Sequence, residues 1–407
     1  MTRHARYVLG IGVFACATLA PIHAQERLGS VAAPDQQRFA GWTFTPTFGF
    51  GETYDDNVSL FSIRTAEEQN NDVIASYFPG ADLRYAGRHT SLGMQYSGSF
   101  LDYRTFSTLN RWDQHGGIEL RREESARVKW FAQGNAAALP STDFIELGGI
   151  PFRQIGAQTL QGRGGVDYLV GSRSQISSSL QYQDVTFDRS SAADEALRGG
   201  HVLESLSDYR YRINERTAVG ADYSYSRATV VGDLETFNIH SAMGAVDYAI
   251  SPGWTLSAGA GVVYLEATAF SPSHNAPAGR ASLDRHNGLT TFHVGYMRSY
   301  IPSFGLGGTS TNQEIGVGFR TPLFNSRRFY TTQSAVFRDD VPLTDLAVQL
   351  PFRSLRTSSV IGFEPDRWVR IEGFYSRVQQ TTLRFGGQVY RNQVGVQIVT
   401  SKPMRIQ

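Results

Sequence analysis

The chain has 407 residues, with 38 Lys+Arg against 37 Asp+Glu, so it is too long for a mini-protein and too evenly charged for a basic nucleic-acid binder. Hydrophobic residues make up 41% and charged residues 18%, while 41 Gly and 12% aromatics fill the gap. Such a mixture is unlike that of a helical enzyme, and the one Cys allows no intramolecular disulfide.

Arg3 and Arg6 precede an apolar stretch, 7–19, and Pro21-Ile22-His23-Ala24 follows it. This layout predicts a secretory signal over residues 1–24, cleaved after Ala24. An uncleaved anchor would need a longer apolar run. Phe14 and Ala15 fit a lipoprotein signal poorly, so Cys16 is expected to leave with the signal. Processing would leave 407 − 24 = 383 residues with 36 basic and 37 acidic side chains. No later run of about 18 apolar residues exists, which excludes a helical inner-membrane protein. A soluble exported protein and an outer-membrane protein remain.

Residues 25–40 are expected to form a periplasmic lead, 41–400 a barrel and 401–407 a tail. Apolar and polar residues alternate along the chain. Leu92, Met94, Tyr96 and Phe100 oppose Gly93, Gln95, Ser97 and Ser99. Val219, Ala221, Tyr223 and Tyr225 oppose Gly220, Asp222, Ser224 and Ser226, and Val394, Val396 and Ile398 oppose Gln393, Gly395 and Gln397. Period two is the signature of strands, and no stretch shows a helical period. Tight turns are expected at 87–90, 123–125, 171–173, 214–216, 251–253, 325–327 and 365–367. Longer polar loops separate them at 54–72, 139–153, 188–200 and 267–277. Short turns alternating with long loops are the habit of an outer-membrane barrel. A weak strand at 278–283, with its turn at 284–287, keeps the count even. The expected fold is therefore all-β, a transmembrane antiparallel β-barrel of about 18 strands, with sixteen as the alternative.

Aromatics near strand ends fall on the apolar face: Trp42, Phe44, Phe48, Phe50, Tyr168, Tyr209, Tyr211, Trp254, Tyr264, Tyr296 and Tyr390. Such residues settle at membrane interfaces. A soluble β-sandwich array or propeller would show repeats of fixed period, and none is present. The opposite face carries Asp82, Arg84, Glu119, Arg121, Lys129, Arg163, Asp167, Asp208, Arg210, Arg212, Asp222, Asp247, Glu314, Arg320, Arg370, Glu372 and Arg391. These are pore-lining candidates, because charge is tolerated in a wet lumen and costly in hydrocarbon. The bland reading makes them cross-strand ion pairs, such as Asp208 with Arg212. Arginines number 36 against two lysines, Lys129 and Lys402. The excess suits carboxylate recognition along a path for an acidic polymer, but a coding bias explains it more simply. The acidic loop with Asp55, Asp56, Glu67, Glu68 and Asp72 lacks the ordered spacing of a calcium loop, and plain solvation is preferred over a cation site.

No nucleophile elbow, zinc-binding helix motif, Walker loop or full dinucleotide fingerprint occurs. The fragments Gly305-x-Gly307 and Gly316-x-Gly318 fit strand or loop glycines better. The histidines after the signal are scattered, and nothing in the spacing selects a hydrolytic pairing such as His274 with Asp284 or His286. No enzyme activity, cofactor, metal or nucleic-acid partner is expected.

Phe44-Thr45-Pro46-Thr47-Phe48 with Tyr54-Asp55-Asp56-Asn57-Val58 resembles the opening of the β-barrel porin 2 family. The segment Tyr296–Gly305 and the ending Arg391-Asn392-Gln393-Val394-Gly395-Val396 are similar too. The resemblance implies an outer-membrane barrel of a Gram-negative bacterium tied to exopolysaccharide production. It makes a passive conduit for an anionic or neutral polysaccharide the first functional expectation. A general small-solute porin and a plugged structural or surface-binding barrel are the alternatives. Outer-membrane lipid and the barrel-assembly machinery are the expected partners. The chain lacks the terminal Phe of many outer-membrane barrels, so its assembly signal would lie near 394–399.

Overall fold

The computed structural model describes residues 41–60, 70–145, 150, 152–188, 197, 199–230, 236–268, 272–305, 308–324, 326–343, 351–382 and 387–406. The expected signal and lead, Glu67, Glu68, Gly307 and Asn325 lie outside the described residues.

Alternation of side chains builds the molecule. The strands are β1 Gly41–Asp55, β2 Asp72–Ala86, β3 Thr90–Tyr103, β4 Arg111–Glu123, β5 Val128–Leu139 and β6 Ala157–Leu169. Next come β7 Ser174–Phe187, β8 Gly200–Arg212, β9 Thr217–Val230, β10 Thr236–Ser251, β11 Trp254–Leu265 and β12 His274–Asn287. The last are β13 Thr290–Pro302, β14 Thr309–Pro322, β15 Phe329–Pro342, β16 Phe352–Asp366, β17 Val369–Thr382, β18 Gln388–Ser401 and β19 Met404–Ile406. Each of β1 to β17 pairs antiparallel with the next, and β1 pairs with β18, which closes the sheet on itself. The short β19 continues β18 beyond Lys402-Pro403 and pairs with Trp42–Phe44 of β1. Nineteen segments less this continuation give 18 staves in a closed antiparallel β-barrel. Closure leaves the sheet no free edge, and every backbone polar group in the wall has a neighbouring strand to bond.

Register keeps the two faces distinct around the ring. In β18, Val394, Val396 and Ile398 turn outward and are half-exposed, while Gln393, Gly395 and Gln397 turn in. The same alternation gives Ile176 and Leu180 of β7 to the outside. Aromatics flank this aliphatic band. Trp42 stacks near Tyr85 at the short-turn end, with ring centroids 5.1 Å apart, and Trp254 near Phe292 at 5.9 Å. Phe50 meets Tyr77 and Phe100 meets Trp112 toward the long-loop end.

Three expectations need correction. The strand at 278–283 is not weak: β12 runs from His274 to Asn287, and its turn is Gly288-Leu289, where Gly288 adopts φ +59°. Asp284 and His286 look like turn residues, yet they are inward strand positions, and Asp284 binds His293 of β13 at 2.6 Å. The preceding loop shrinks to 266–273 accordingly. The turn placed at 365–367 falls at 367–368, after a register shift between Phe363 and Asp366. Residues 401–406 are not a free tail, because Ser401 ends β18 and β19 completes the seam.

Two buried apolar clusters are found among the described residues, a small one of Val58, Ile74, Leu101 and Tyr103 and a larger one inside the barrel. Ile145 and Ile150, from the connection between β5 and β6, pack with Val185, Val202, Val230, Phe237, Ile239, Val263 and Leu265. These wall residues come from the long-loop ends of β7 to β11 and are nearly sealed from solvent. An inward-folded connection therefore has an apolar bed prepared for it.

Candidate functional site

The described part of the connection between β5 and β6, residues 140–145, 150 and 152–156, reaches into the lumen. Eighteen strands about 4.8 Å apart and tilted about 40° give a diameter of about 36 Å. A one-turn 3-10 segment, Thr142–Phe144, starts three residues beyond β5 and leads the part that reaches inward, called here its tip. The two legs are tied together: Thr142 N–H donates to the Arg153 carbonyl at 3.0 Å, and Arg153 N–H donates to Thr142 Oγ1 at 2.7 Å. Ser141 Oγ donates to the Asp143 carboxylate, and Arg111 of β4 donates to the Pro140 carbonyl at 2.7 Å.

Strands β16 to β18 and β1, about four to seven staves from β5 around the ring, hold that tip. Arg391 Nη1 of β18 donates to Asp143 at 2.8 Å, and its Nε donates to Asp55 of β1 at 2.6 Å. Arg356 of β16 donates to the Ile145 carbonyl at 2.7 Å and lies 4.7 Å over the Phe152 ring. Phe152 N–H donates to Gln380 Oε1 of β17 at 2.9 Å. Asp55 and Arg391 are 0% and 1% exposed. A charge sealed this well needs its partner, since breaking a buried pair costs about 3–5 kcal/mol.

The sequence motifs at the two ends of the barrel meet here. Asp55 takes Arg391 and Gln393, the latter at 2.9 Å, and Asp56 accepts both the backbone and side-chain N–H of Asn392 at 2.7 Å. Asn57 Nδ2 donates to the Tyr390 carbonyl at 2.7 Å and also accepts from Asn70. Asp72 accepts from the backbone of Thr105 and Phe106. The acidic run at 54–72 thus serves the seam and the neighbouring loop, as far as its described residues extend. Among the described residues no cluster of His, Cys, Asp and Glu is arranged to hold a metal ion.

The registers carry all the candidates from Asp82 to Arg391 on the inner face, and they fall into groups. On β2 to β5, Arg84 pairs with Asp82 at 2.8 Å, Arg121 pairs with Glu119, and Lys129 pairs with Glu123 at 2.6 Å. Arg163 reaches Ser179 at 3.1 Å, and Asp167 stands across from Lys129 in register. On β8 to β12, Arg210 binds Asp208 at 2.9 Å, Asp222 at 2.6 Å and Asp247 at 3.2 Å, and Arg280 binds Asp222 at 2.6 Å. Asp208 therefore pairs with Arg210, not with Arg212, which is exposed beside the 213–216 turn. On β14 to β18, Arg338 binds Glu314, Arg370 lies 3.4 Å from Glu372, and Tyr330 donates to Glu372. Arg320 sits 4.1 Å over the Tyr330 ring. Glu372 and Arg391 are 1% exposed, so these two candidates lie on the inner face yet are closed to solute. His274 is not brought to Asp284, whose partner is His293. Gly316 and Gly318 alternate inward along β14. Arg280, Arg338, Arg356 and Asp143 also belong to these networks and were not singled out from the sequence, although Arg280, Arg338 and Arg356 share the inward parity.

No protein-family model matches the chain, and no curated protein matches it in sequence. The likeness to the β-barrel porin 2 family therefore stays a resemblance of short motifs. Among solved structures the chain is similar to Acinetobacter baumannii OccAB4, at 8% identity and a TM-score of 0.47, covering 91% of this chain and 100% of that one. It is also similar to Pseudomonas aeruginosa OpdQ, at 9% identity and a TM-score of 0.43, over 90% and 98% of the two chains. A structure of Pseudomonas aeruginosa OpdK with vanillate matches at 9% identity and a TM-score of 0.45, over 89% and 99%.

Proposed function

We propose that this chain is an outer-membrane channel through which small solutes diffuse passively, past a constriction made by the 140–156 connection. The carrying observation is the latch that ties the tip of that connection to β16, β17 and β18 through Arg356, Gln380 and Arg391. Support for the membrane comes from the wall: an aliphatic outer band between aromatic rows, around a polar inner face, is the pattern of a barrel in a bilayer. Support for an open path comes from size, because the described residues of the 140–156 connection, with Phe304 and Leu343 packed against the same cluster, are few beside a lumen about 36 Å across at the backbone.

In this reading Arg84, Glu119, Arg121, Arg163, Asp167, Asp208, Arg210, Asp222, Asp247, Arg320 and Arg370 border the solute path and Arg212 its mouth. Arg391 and Glu372 act on the wall itself. The latch weighs against a conduit for secreted polysaccharide. A threading polymer needs the connection withdrawn, and withdrawal leaves Asp143 and Arg391 to be rehydrated or re-paired. Swelling of liposomes that hold the purified chain tests the assignment. Disaccharide-sized solutes are expected to enter and large dextrans to be excluded. Equal entry of dextrans contradicts the constriction, and no entry of any solute contradicts the channel.

A further inference from the structure

Inner-face aromatic rings stand opposite glycines. Phe78 faces Gly49, Phe374 faces Gly395, Tyr330 faces Gly362 and Phe131 faces Gly165, each directly across a strand pair. A Cβ on Gly49 would stand 3.0 Å from the Phe78 ring, and one on Gly395 would stand 2.7 Å from the Phe374 ring. The rings occupy the space where the missing side chains would point, so they lie over the wall. The guanidiniums of Arg320 and Arg163 lie over the rings of Tyr330 and Phe131, at 4.1 and 5.4 Å. Phe78 and Phe374 lean instead from β2 and β17 over the seam strands β1 and β18. Both line a cavity of about 120 Å³ beside the loop tip.

The charges around that cavity cancel. Arg391 answers Asp55 and Asp143, which leaves one negative charge, and Arg356 adds one positive charge. All four are buried, from 0% exposed for Asp55 to 8% for Arg356. Arg377 also borders the cavity, but it lies on the outward parity of β17, where its guanidinium binds Gln379; the inward polar lining, with the hydroxyls of Ser76 and Ser358 and the amide of Gln393, is uncharged. The space holds on the order of ten waters by its volume, room for one sugar ring and its hydroxyls.

We propose that this cavity binds an uncharged polyhydroxylated ring, a monosaccharide unit. The apolar face of the ring stacks on Phe374 or Phe78, and its hydroxyls exchange water for Ser76, Ser358 and Gln393. A charged solute meets no uncompensated partner there and loses its hydration. The proposal rests on the channel reading and gives that path a preferred solute.

The test uses the full chain in planar bilayers, with current carried by KCl and D-glucose, D-gluconate or D-glucosamine added in turn. Glucose is expected to reduce the open-channel current at lower concentration than either charged relative. Phe374→Leu keeps an apolar side chain but removes the ring, and it should weaken the glucose block about two- to tenfold, whereas Phe374→Trp should retain it. Phe78→Leu gives the same reading from the other side of the seam. Stronger block by gluconate or glucosamine, or equal block by the wild type and both Leu variants, overturns the proposal. A conducting channel that none of the three compounds blocks overturns it while leaving the channel intact. A wild type that carries no current removes the channel and the site together.

Discussion

Two charge assemblies face the interior, and they do different work with the same residue types. At the seam, Arg391 is sealed between Asp55 and Asp143, with 1% exposure. On β8 to β10, Arg210 binds three aspartates, and its own side chain is 15% and Asp247 36% exposed. The sealed assembly joins three distant pieces of chain and cannot exchange its partners for water. The wetter one draws all its members from neighbouring strands of one wall. Burial, more than charge, separates the group that builds the passage from the group that borders it.

Arg391→Met attacks the sealed assembly and should have the largest effect. It strands two carboxylates, so a loss of about 3–5 kcal/mol is expected. The readout is the temperature at which the detergent-solubilised barrel loses its folded mobility on a gel. An unchanged transition would erase the distinction between the two assemblies. Asp143→Asn should cost less, about 1–3 kcal/mol, because the seam pair with Asp55 survives. Its mark is a larger, noisier single-channel current as the loop tip loosens, and an unchanged current would detach the tip from the path. Gly362→Ala probes the wall between them. A Cβ there would collide with the Tyr330 ring, so the ring must move, at about 1–3 kcal/mol. Thermal midpoints of this variant and of Gly373→Ala, where a Cβ meets nothing within 4 Å, should separate clearly. Glu119→Gln is the smallest change. Its pair with Arg121 is 49% and 69% exposed, and loss of stability should stay within about 1 kcal/mol, with a shift of ion selectivity toward anions. A reversal potential identical to the wild type's would remove Glu119 from the path.

Much of the fold could be read from alternation. Period two assigns each side chain a face, and the rhythm of short turns and long loops supports an even stave count. Sequence failed where polar residues have two uses. Asp284 and His286 look like a turn but are inward strand positions that interrupt nothing. Asp55 and Asp56 look like a solvated acidic loop but bind Arg391 and Asn392, up to 336 residues away. Local pattern holds no trace of such pairings, because the register that brings β1 to β18 is fixed only when the ring closes. The inward loop was illegible for a similar reason. Asp143 and Phe152 are ordinary loop residues until the closed ring brings Arg391, Arg356 and Gln380 to them. The aromatic–glycine pairs were equally hidden, since each needs the strand pairing to be known.

The central claim is that the 140–156 connection sets the width of a real passage. Single-channel conductance of the wild type, beside a chain in which residues 142–154 are replaced by a short Gly-Ser link, tests it most directly. A steady wild-type conductance that rises severalfold on replacement is the predicted result. Equal conductance from both chains, or none from either, would contradict it.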